Sequence, residues 1–119
     1  MIKNLPYSRA ERVAHGVKRL IVEAILTEVS DPRLESVNIT RVILTKDLKI
    51  ARVYFYLLEK TDELEDRTKR GLNSAKGFFK KRIARELNLK YTPDIQFFYD
   101  ESIDLCEKID SLFGEREST

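Results

Sequence analysis

Residues 67–90 read RTKRGLNSAKGFFKKRIARELNLK, and this stretch decides how the rest of the chain is organised. Its apolar residues recur at three- and four-residue steps, which predicts a helix with one buried side. They are Leu72, Ala75, Phe79, Ile83 and Leu87. The polar side is almost purely cationic, with nine basic residues against one acid, Glu86. We therefore expect a helix that packs on a core and faces an anion.

Gly77 interrupts this helical pattern near its middle. Glycine inside a helix costs about 1 kcal/mol relative to alanine, so we expect the missing side chain to have a use. One use is a bend, and a second is close approach of a nucleic-acid backbone. The predicted bend comprises Ser74, Ala75, Lys76 and Gly77. Steps of four place on one face Asn73, Gly77, Lys81 and Arg85. The alternative is a helix that tolerates a glycine among solvated lysines.

Length and composition indicate one globular domain that needs no disulfide bonds to be stable. The chain has 119 residues, of which 42% are hydrophobic and 35% charged, and a chain of this size can bury a sizeable core. We expect the domain over residues 1–114, followed by a short polar tail at 115–119. The single cysteine, Cys106, fits a reducing cytosol, so we expect a cytoplasmic protein. Neither a signal peptide nor an apolar run of membrane-spanning length is evident.

A net charge of +2 hides a strong asymmetry along the chain. Residues 1–19 hold five basic side chains against Glu11, whereas residues 94–119 hold eight acidic side chains against Lys108 and Arg116. With the cationic stretch at 67–90, this pattern favours a polyanionic partner on one side of the molecule. The alternative is charge scattered over a charge-rich surface without a partner.

The segments before the central helix predict a helix and a β-hairpin. Ser8 and Glu11 form a capping-box pattern that starts a helix, which we expect to end near Val29, ahead of Pro32. Residues 36–45 and 49–58 are rich in β-branched and aromatic residues and read as two strands. Arg41 falls where the first strand should turn an apolar residue inward. A β-bulge or an inward-leaning edge position would explain it.

The remaining segments complete an α+β domain. Thr61 or Asp62 caps the central helix, residues 94–99 form a third strand, and Asp100 or Ser102 caps a last helix. The apolar pattern of that last helix comprises Leu105, Cys106, Ile109, Leu112 and Phe113. A helical crossover between the second and third strands favours their parallel pairing. The prediction is a three-stranded mixed sheet with helices on one face, in the order α-β-β-α(kink)α-β-α. A ferredoxin-like fold would need a fourth strand.

Few residues suggest catalysis or metal binding. His15 is the single histidine, and its place between Val13 and Val17 is typical of a surface or partly buried side chain. The pattern around Cys106 is that of a core residue. Helix capping explains the remaining acidic candidates, Asp100, Glu101 and Asp104. We expect no enzyme activity, no cofactor and no metal. Three aromatic residues could stack on bases, although packing within the fold is the favoured interpretation: Tyr54, Tyr56 and Phe78.

The order of elements resembles a type II KH domain, a class that binds single-stranded nucleic acid. The Gly-x-x-Gly loop of that class is missing, and residues 75–77, Ala-Lys-Gly, stand in its place. This departure is similar to the bacterial ribosome-binding factor A family, with its Ala-x-Gly helix kink. The resemblance extends to Asp-Pro-Arg-Leu at 31–34, the hairpin at 37–54, Leu-Asn-Ser-Ala-Lys-Gly-Phe at 72–78 and the last strand and turn at 93–102.

The resemblance implies a non-catalytic assembly factor that binds the free or immature small ribosomal subunit through its rRNA. Family members assist late rRNA maturation, act near the decoding region and support growth in the cold. We expect a monomer that contacts ribosomal proteins or other assembly factors in addition to rRNA, and no membrane. The residues predicted to meet RNA are Arg9, Arg12, Lys18, Arg70, Asn73, Lys76, Gly77, Lys80, Lys81, Arg82 and Arg85. The alternative function is a general KH-like RNA-binding protein or a protein-interaction adaptor that docks through the acidic C-terminal part.

Overall fold

Three helices and a three-stranded sheet make up residues 8–102, the part of the chain that the computed structural model describes. The helices are α1 (Arg9–Thr27), α2 (Asp62–Ser74) and α3 (Lys76–Glu86). The strands are β1 (Asn38–Leu44), β2 (Ile50–Tyr56) and β3 (Asp94–Tyr99). The predicted last helix lies outside the described residues apart from Glu101 and Ser102, which are helical, and the polar tail lies outside them entirely, so the extent of the helix and the tail stay predictions.

Helix α1 begins at the predicted capping box. The Glu11 amide donates to the Ser8 hydroxyl at 3.1 Å, and the Ser8 amide donates to the Glu11 carboxylate at 3.0 Å. These two bonds satisfy amides that the first helical turn leaves without partners. The helix ends at Thr27, two residues before the predicted end, and a 3-10 turn over Pro32–Leu34 follows. The apolar stripe of α1 is buried as expected, at Val17, Leu20, Ile21 and Ala24.

Strands β1 and β2 form the predicted antiparallel hairpin, each shorter than the apolar run that signals it. Ile39 pairs with Phe55 and Arg41 pairs with Tyr54, so Thr40 has no partner in the ladder. The irregularity predicted from Arg41 is therefore a β-bulge, and the extra residue is Thr40. Because the bulge shifts the side-chain alternation, Arg41 lies on the outer face while Ile39 and Leu44 pack toward the core.

Strand β3 lies parallel to β2, as the helical crossover predicts. Val53 pairs with Phe97 and Tyr54 pairs with Phe98, and the strand order is β1-β2-β3. One face of the sheet packs against the helices, where Phe79 of α3 meets Phe97 edge-on at 6.1 Å between ring centroids. The main buried side chains are Leu20, Ile21, Val53, Phe55, Leu72, Phe79, Ile83 and Ile95. None of the helices within residues 8–102 is both long enough and apolar enough to cross a membrane.

Candidate nucleic-acid interface

The central helical stretch divides at Ala75 into α2 and α3. Ala75 has φ −89° and ψ 0°, and its amide donates to the Gly71 and Leu72 carbonyls at 3.1 and 3.2 Å. No side chain caps the first turn of α3. Gly77 is exposed in that turn, and a Cβ added to it would meet no atom within 4 Å. Packing within the fold therefore does not require a glycine at position 77, and the surface beside it is bare.

Gly71 has the opposite surroundings and holds the bend in place. A Cβ at Gly71 would lie 3.0 Å from Cβ of Arg33 and 3.1 Å from Cδ2 of Leu34, so the 3-10 turn packs directly on the α2 backbone. Asp31 caps that turn and holds the Arg33 guanidinium at 2.8 Å, and these hydrogen bonds lower the pKa of Asp31. Arg33 Nη2 in turn lies 3.4 Å from Ser74 Oγ at the end of α2. The Asp-Pro-Arg-Leu segment thus braces the bend.

The surface beside Gly77 is polar and cationic. Asn73, Lys81 and Arg85 are exposed, and neither Lys81 nor Arg85 forms an ion pair with another residue in 8–102. Lys76 is half-buried and helps to lower the pKa of Asp94, whose largest influence is the hydrogen bond from Lys80. Lys81 and Arg85 therefore keep their charge available to an external anion.

Two more predicted cations are held in exposed ion pairs. Lys80 Nζ lies 3.2 Å from Asp94 Oδ1, and Arg70 Nη1 lies 2.9 Å from Asp66 Oδ2. Exposed pairs of this kind contribute about 0–1 kcal/mol. Lys80 and Arg70 can therefore exchange their partners for a phosphate at little cost.

Arg82, one of the predicted RNA contacts, is held within the fold by ion pairs. The residue is 9% exposed, and its guanidinium meets three carboxylates. Nε lies 2.8 Å from Glu86, Nη2 lies 3.4 Å from Glu23, and Nη1 contacts Glu28. The Glu86 hydrogen bond outweighs desolvation and raises the pKa of Arg82. Since Glu23 and Glu28 flank the end of α1, Arg82 joins α3 to α1.

The predicted contacts on α1 fall into two groups. Arg9 and Arg12 are exposed and line a shallow depression with Leu87 and Asn88, which places them beside the end of α3. Lys18 is half-buried, and its Nζ donates to the Thr40 carbonyl on β1 at 3.1 Å. Arg9 and Arg12 thus lie beside Glu86 at the end of α3, whereas Lys18 faces β1 at the edge of the sheet.

Residues 8–102 contain no cluster of three or more His, Cys, Asp or Glu side chains that could hold a metal ion. His15 is exposed on α1. Tyr54 packs across the strands against Phe98, and Tyr56 is buried beside Tyr99. The packing interpretation is therefore confirmed for these two tyrosines. Phe78 is 36% exposed at the start of α3.

The contact between Arg33 and Gly71, which stabilises the bend, was not predicted from the sequence. Its signal was present as the Asp-Pro-Arg-Leu segment and as a second glycine six residues before Gly77.

A helix, an antiparallel hairpin, two helices joined at a bend and a parallel third strand together define a type II KH-like domain. Its cationic helical bend replaces the glycine loop. The family model described as ribosome-binding factor A matches residues 9–113. The chain belongs to the ribosome-binding factor A family.

Individual relatives match this chain over most of their own length. Ribosome-binding factor A of Geotalea uraniireducens (strain Rf4) is 40% identical over 113 residues, covering 95% of this chain and 92% of the relative. A Thermotoga maritima protein solved by NMR is 37% identical, with a TM-score of 0.69 over 81% of this chain and 91% of its own. A homology model of Thermus thermophilus ribosome-binding factor A, fitted into a cryo-electron-microscopy map of a 30S complex, has a TM-score of 0.62 at 23% identity. It covers 79% of this chain and 97% of its own and shows a shared fold.

Proposed function

We propose that this protein is a non-catalytic assembly factor that binds the free or immature small ribosomal subunit through its rRNA and assists late rRNA maturation in the cytoplasm. The observation that carries the proposal is the cationic surface around Gly77, where Lys81 and Arg85 lie exposed beside a bare helical turn and form no ion pair within residues 8–102. Membership of the ribosome-binding factor A family supports the choice of partner.

The geometry supports a mechanism based on shape and charge. Arginine and lysine contacts to phosphates mainly fix position and carry little sequence information. The absence of a Cβ at the exposed Gly77 lets an RNA backbone approach α3 closely. Arg9, Arg12 and Lys76 extend the contact along the helix layer. Recognition then depends on the folded shape of the rRNA rather than on its base sequence.

Co-sedimentation with purified ribosomal particles tests this proposal. The protein should pellet with free small subunits and not with intact ribosomes, and high salt should release it, because each neutralised phosphate releases counterions. The double variant Lys81→Glu/Arg85→Glu should bind more weakly and lower the salt slope by about two. The variant Lys46→Glu/Lys49→Glu makes the same charge change in the exposed β1–β2 turn and serves as the control.

Unchanged affinity in a folded Lys81→Glu/Arg85→Glu variant would rule out this surface. Association that survives digestion of the RNA would favour the alternative, a protein-interaction adaptor. Cells without the protein should accumulate unprocessed small-subunit rRNA and grow slowly in the cold, and normal processing in such cells would contradict the role in maturation.

A further inference from the structure

A row of three side chains crosses the outer face of the sheet, on the side away from the helices. Arg41, Tyr54 and Phe98 are register partners on β1, β2 and β3. The Arg41 guanidinium lies 4.2 Å from the centroid of the Tyr54 ring, and the Tyr54 and Phe98 centroids are 5.6 Å apart at an interplanar angle of 32°. Cation–π and ring–ring contacts therefore join the three strands in one continuous platform.

The β1 bulge creates this platform. Thr40 takes up the extra residue, and its hydroxyl donates to the Asp100 carboxylate at 2.6 Å. Asp100 is 2% exposed and also pairs with Arg41 at 3.3 Å. The bulge and this carboxylate together hold the Arg41 side chain over Tyr54, while half of the Arg41 side chain remains open to solvent.

The neighbouring row gives the face its charge and its apolar surface. It consists of Ile43, Arg52 and Gln96. Ile43 and Phe98 are exposed, at 43% and 38%, although both are large apolar side chains on a sheet face that no described helix covers. Arg52 is exposed and forms no ion pair within residues 8–102. Asp94, the acidic residue at the end of this face, is held by Lys80.

Two arginines lie on the same face as the exposed Phe98 ring and the half-buried Tyr54 ring. The two carboxylates described on this face are already paired. This surface complements an anion that carries flat apolar groups. Single-stranded RNA has this chemistry, because unpaired bases stack on aromatic rings while guanidinium groups meet phosphates. A duplex would present its phosphates but hide its base faces. The surface therefore fits unpaired nucleotides better than a helix of RNA.

We propose that the outer sheet face is a second RNA-binding surface, on which an unpaired base stacks on Phe98 and a phosphate meets Arg52. The proposal rests on the proposed function for its partner, rRNA of the small subunit. It adds a contact in a different layer of the molecule from Lys81 and Arg85, so one copy of the protein holds two RNA segments at once.

Tryptophan fluorescence provides a direct test, because the chain contains no tryptophan. In the full-length Phe98→Trp variant, stacking of a base should quench the emission when free small subunits or a short mixed-sequence single-stranded RNA are added. The same strand annealed into a duplex should quench less. Leu58→Trp serves as the control, since Leu58 is 78% exposed and lies outside the outer sheet face, in the segment that follows β2, and its emission should stay unchanged.

Affinity measurements complete the test. Phe98→Ala should weaken binding to free small subunits about tenfold, the loss expected for one stacked base. Arg52→Ala should lower the salt slope by about one. Both positions are exposed on the outer face, so the variants should fold, and circular dichroism checks this. Phe98→Leu preserves apolar volume without a π face and should bind as weakly as Phe98→Ala.

Several outcomes would overturn the proposal. If Phe98→Ala binds normally while Lys81→Glu/Arg85→Glu fails, the helix surface alone carries RNA binding and the sheet face does not. If Phe98→Trp emission in the free protein is blue-shifted and resists quenching by acrylamide, another part of the chain covers the face. If quenching requires ribosomal protein and survives removal of RNA, the partner is a protein. If the unmodified protein does not bind small subunits at all, that result would instead contradict the proposed function itself.

Discussion

Gly71 and Gly77 lie six residues apart and have opposite surroundings. At Gly71 the backbone is buried under Arg33 and Leu34, at distances that leave no room for a Cβ. At Gly77 nothing in the fold comes within 4 Å of an added Cβ, and φ is not positive. The first glycine is explained by contacts within the protein. The second has no such explanation within residues 8–102, so both interpretations of it stand: a tolerated glycine, and close approach of a nucleic-acid backbone.

Replacing Gly77 with alanine should therefore separate stability from binding. We expect Gly77→Ala to raise the free energy of unfolding by about 0.4–1 kcal/mol, since alanine restricts the unfolded chain and fits the helix without strain. If an RNA backbone approaches Gly77 as we propose, the same variant should bind small subunits more weakly, because the added Cβ would occupy that space. Urea unfolding and co-sedimentation provide the two measurements.

Ala84→Gly is the matched control for that experiment, since Ala84 is exposed on the same helix. It should lose roughly 1 kcal/mol of stability and retain its binding. A Gly77→Ala variant that is more stable and binds as tightly as the original protein would show that the bare turn has no role in recognition.

Among the elements, α1 and α3 are joined by a charge cluster rather than by apolar contact alone. Arg82 forms ion pairs with three carboxylates, two of which lie at the end of α1. Removing the cation would leave Glu28 and Glu86 without the counter-charge that Arg82 supplies. Glu23 would keep its exposed ion pair with Arg19. The position of α3, and with it the position of the proposed RNA surface, thus depends on Arg82, which is buried in ion pairs within the fold.

We predict opposite effects for two neighbouring substitutions on α3. Arg82→Met should lower the urea midpoint while the folded fraction still binds small subunits. Lys81→Met should leave the midpoint unchanged and weaken binding, because Lys81 is exposed and has no ion-pair partner in the described chain. A strong binding defect in a fully folded Arg82→Met variant would contradict this assignment.

The link between β1 and the end of β3 should make stability depend on pH. Burial opposes ionisation of Asp100, but hydrogen bonds from Ser102 and Thr40, together with Arg41, lower its pKa below the ordinary value of about 4. A carboxyl with a lowered pKa in the folded state stabilises the fold above the unfolded pKa, and this contribution disappears as pH falls through the folded pKa.

Asp100→Asn should therefore cost about 1–3 kcal/mol at neutral pH, and the difference from the original protein should shrink below about pH 4. Urea unfolding at a series of pH values measures this difference. Asn73→Ala changes an exposed, uncharged side chain and should give a difference that does not vary with pH. A constant penalty for Asp100→Asn down to the lowest pH would show that the charge on Asp100 is not what stabilises the fold.

At the scale of the whole molecule, the order of elements, the hairpin, the bend at Ala75 and the parallel pairing of β2 with β3 were predictable from the sequence. Each depends on a local pattern or on a connection rule. The surroundings of Arg82 were not predictable, because Glu23 and Glu28 lie more than fifty residues away. The Arg41–Tyr54–Phe98 row was missed for a related reason, since it depends on the register of three strands and on a bulge that was only one of two explanations for Arg41.

The bulge has a consequence for chain length. Ile39 and Arg41 already oppose consecutive residues of β2, so the ladder would close without Thr40. Deleting this one residue would leave every other β1 side chain on its present face, which is rare for a single deletion in a strand, where a slip of one normally inverts inside and outside. The shortened strand would lose the hydroxyl that reaches Asp100. Thr40 is thus dispensable for pairing, and its side chain links one edge strand to the residue that follows the other.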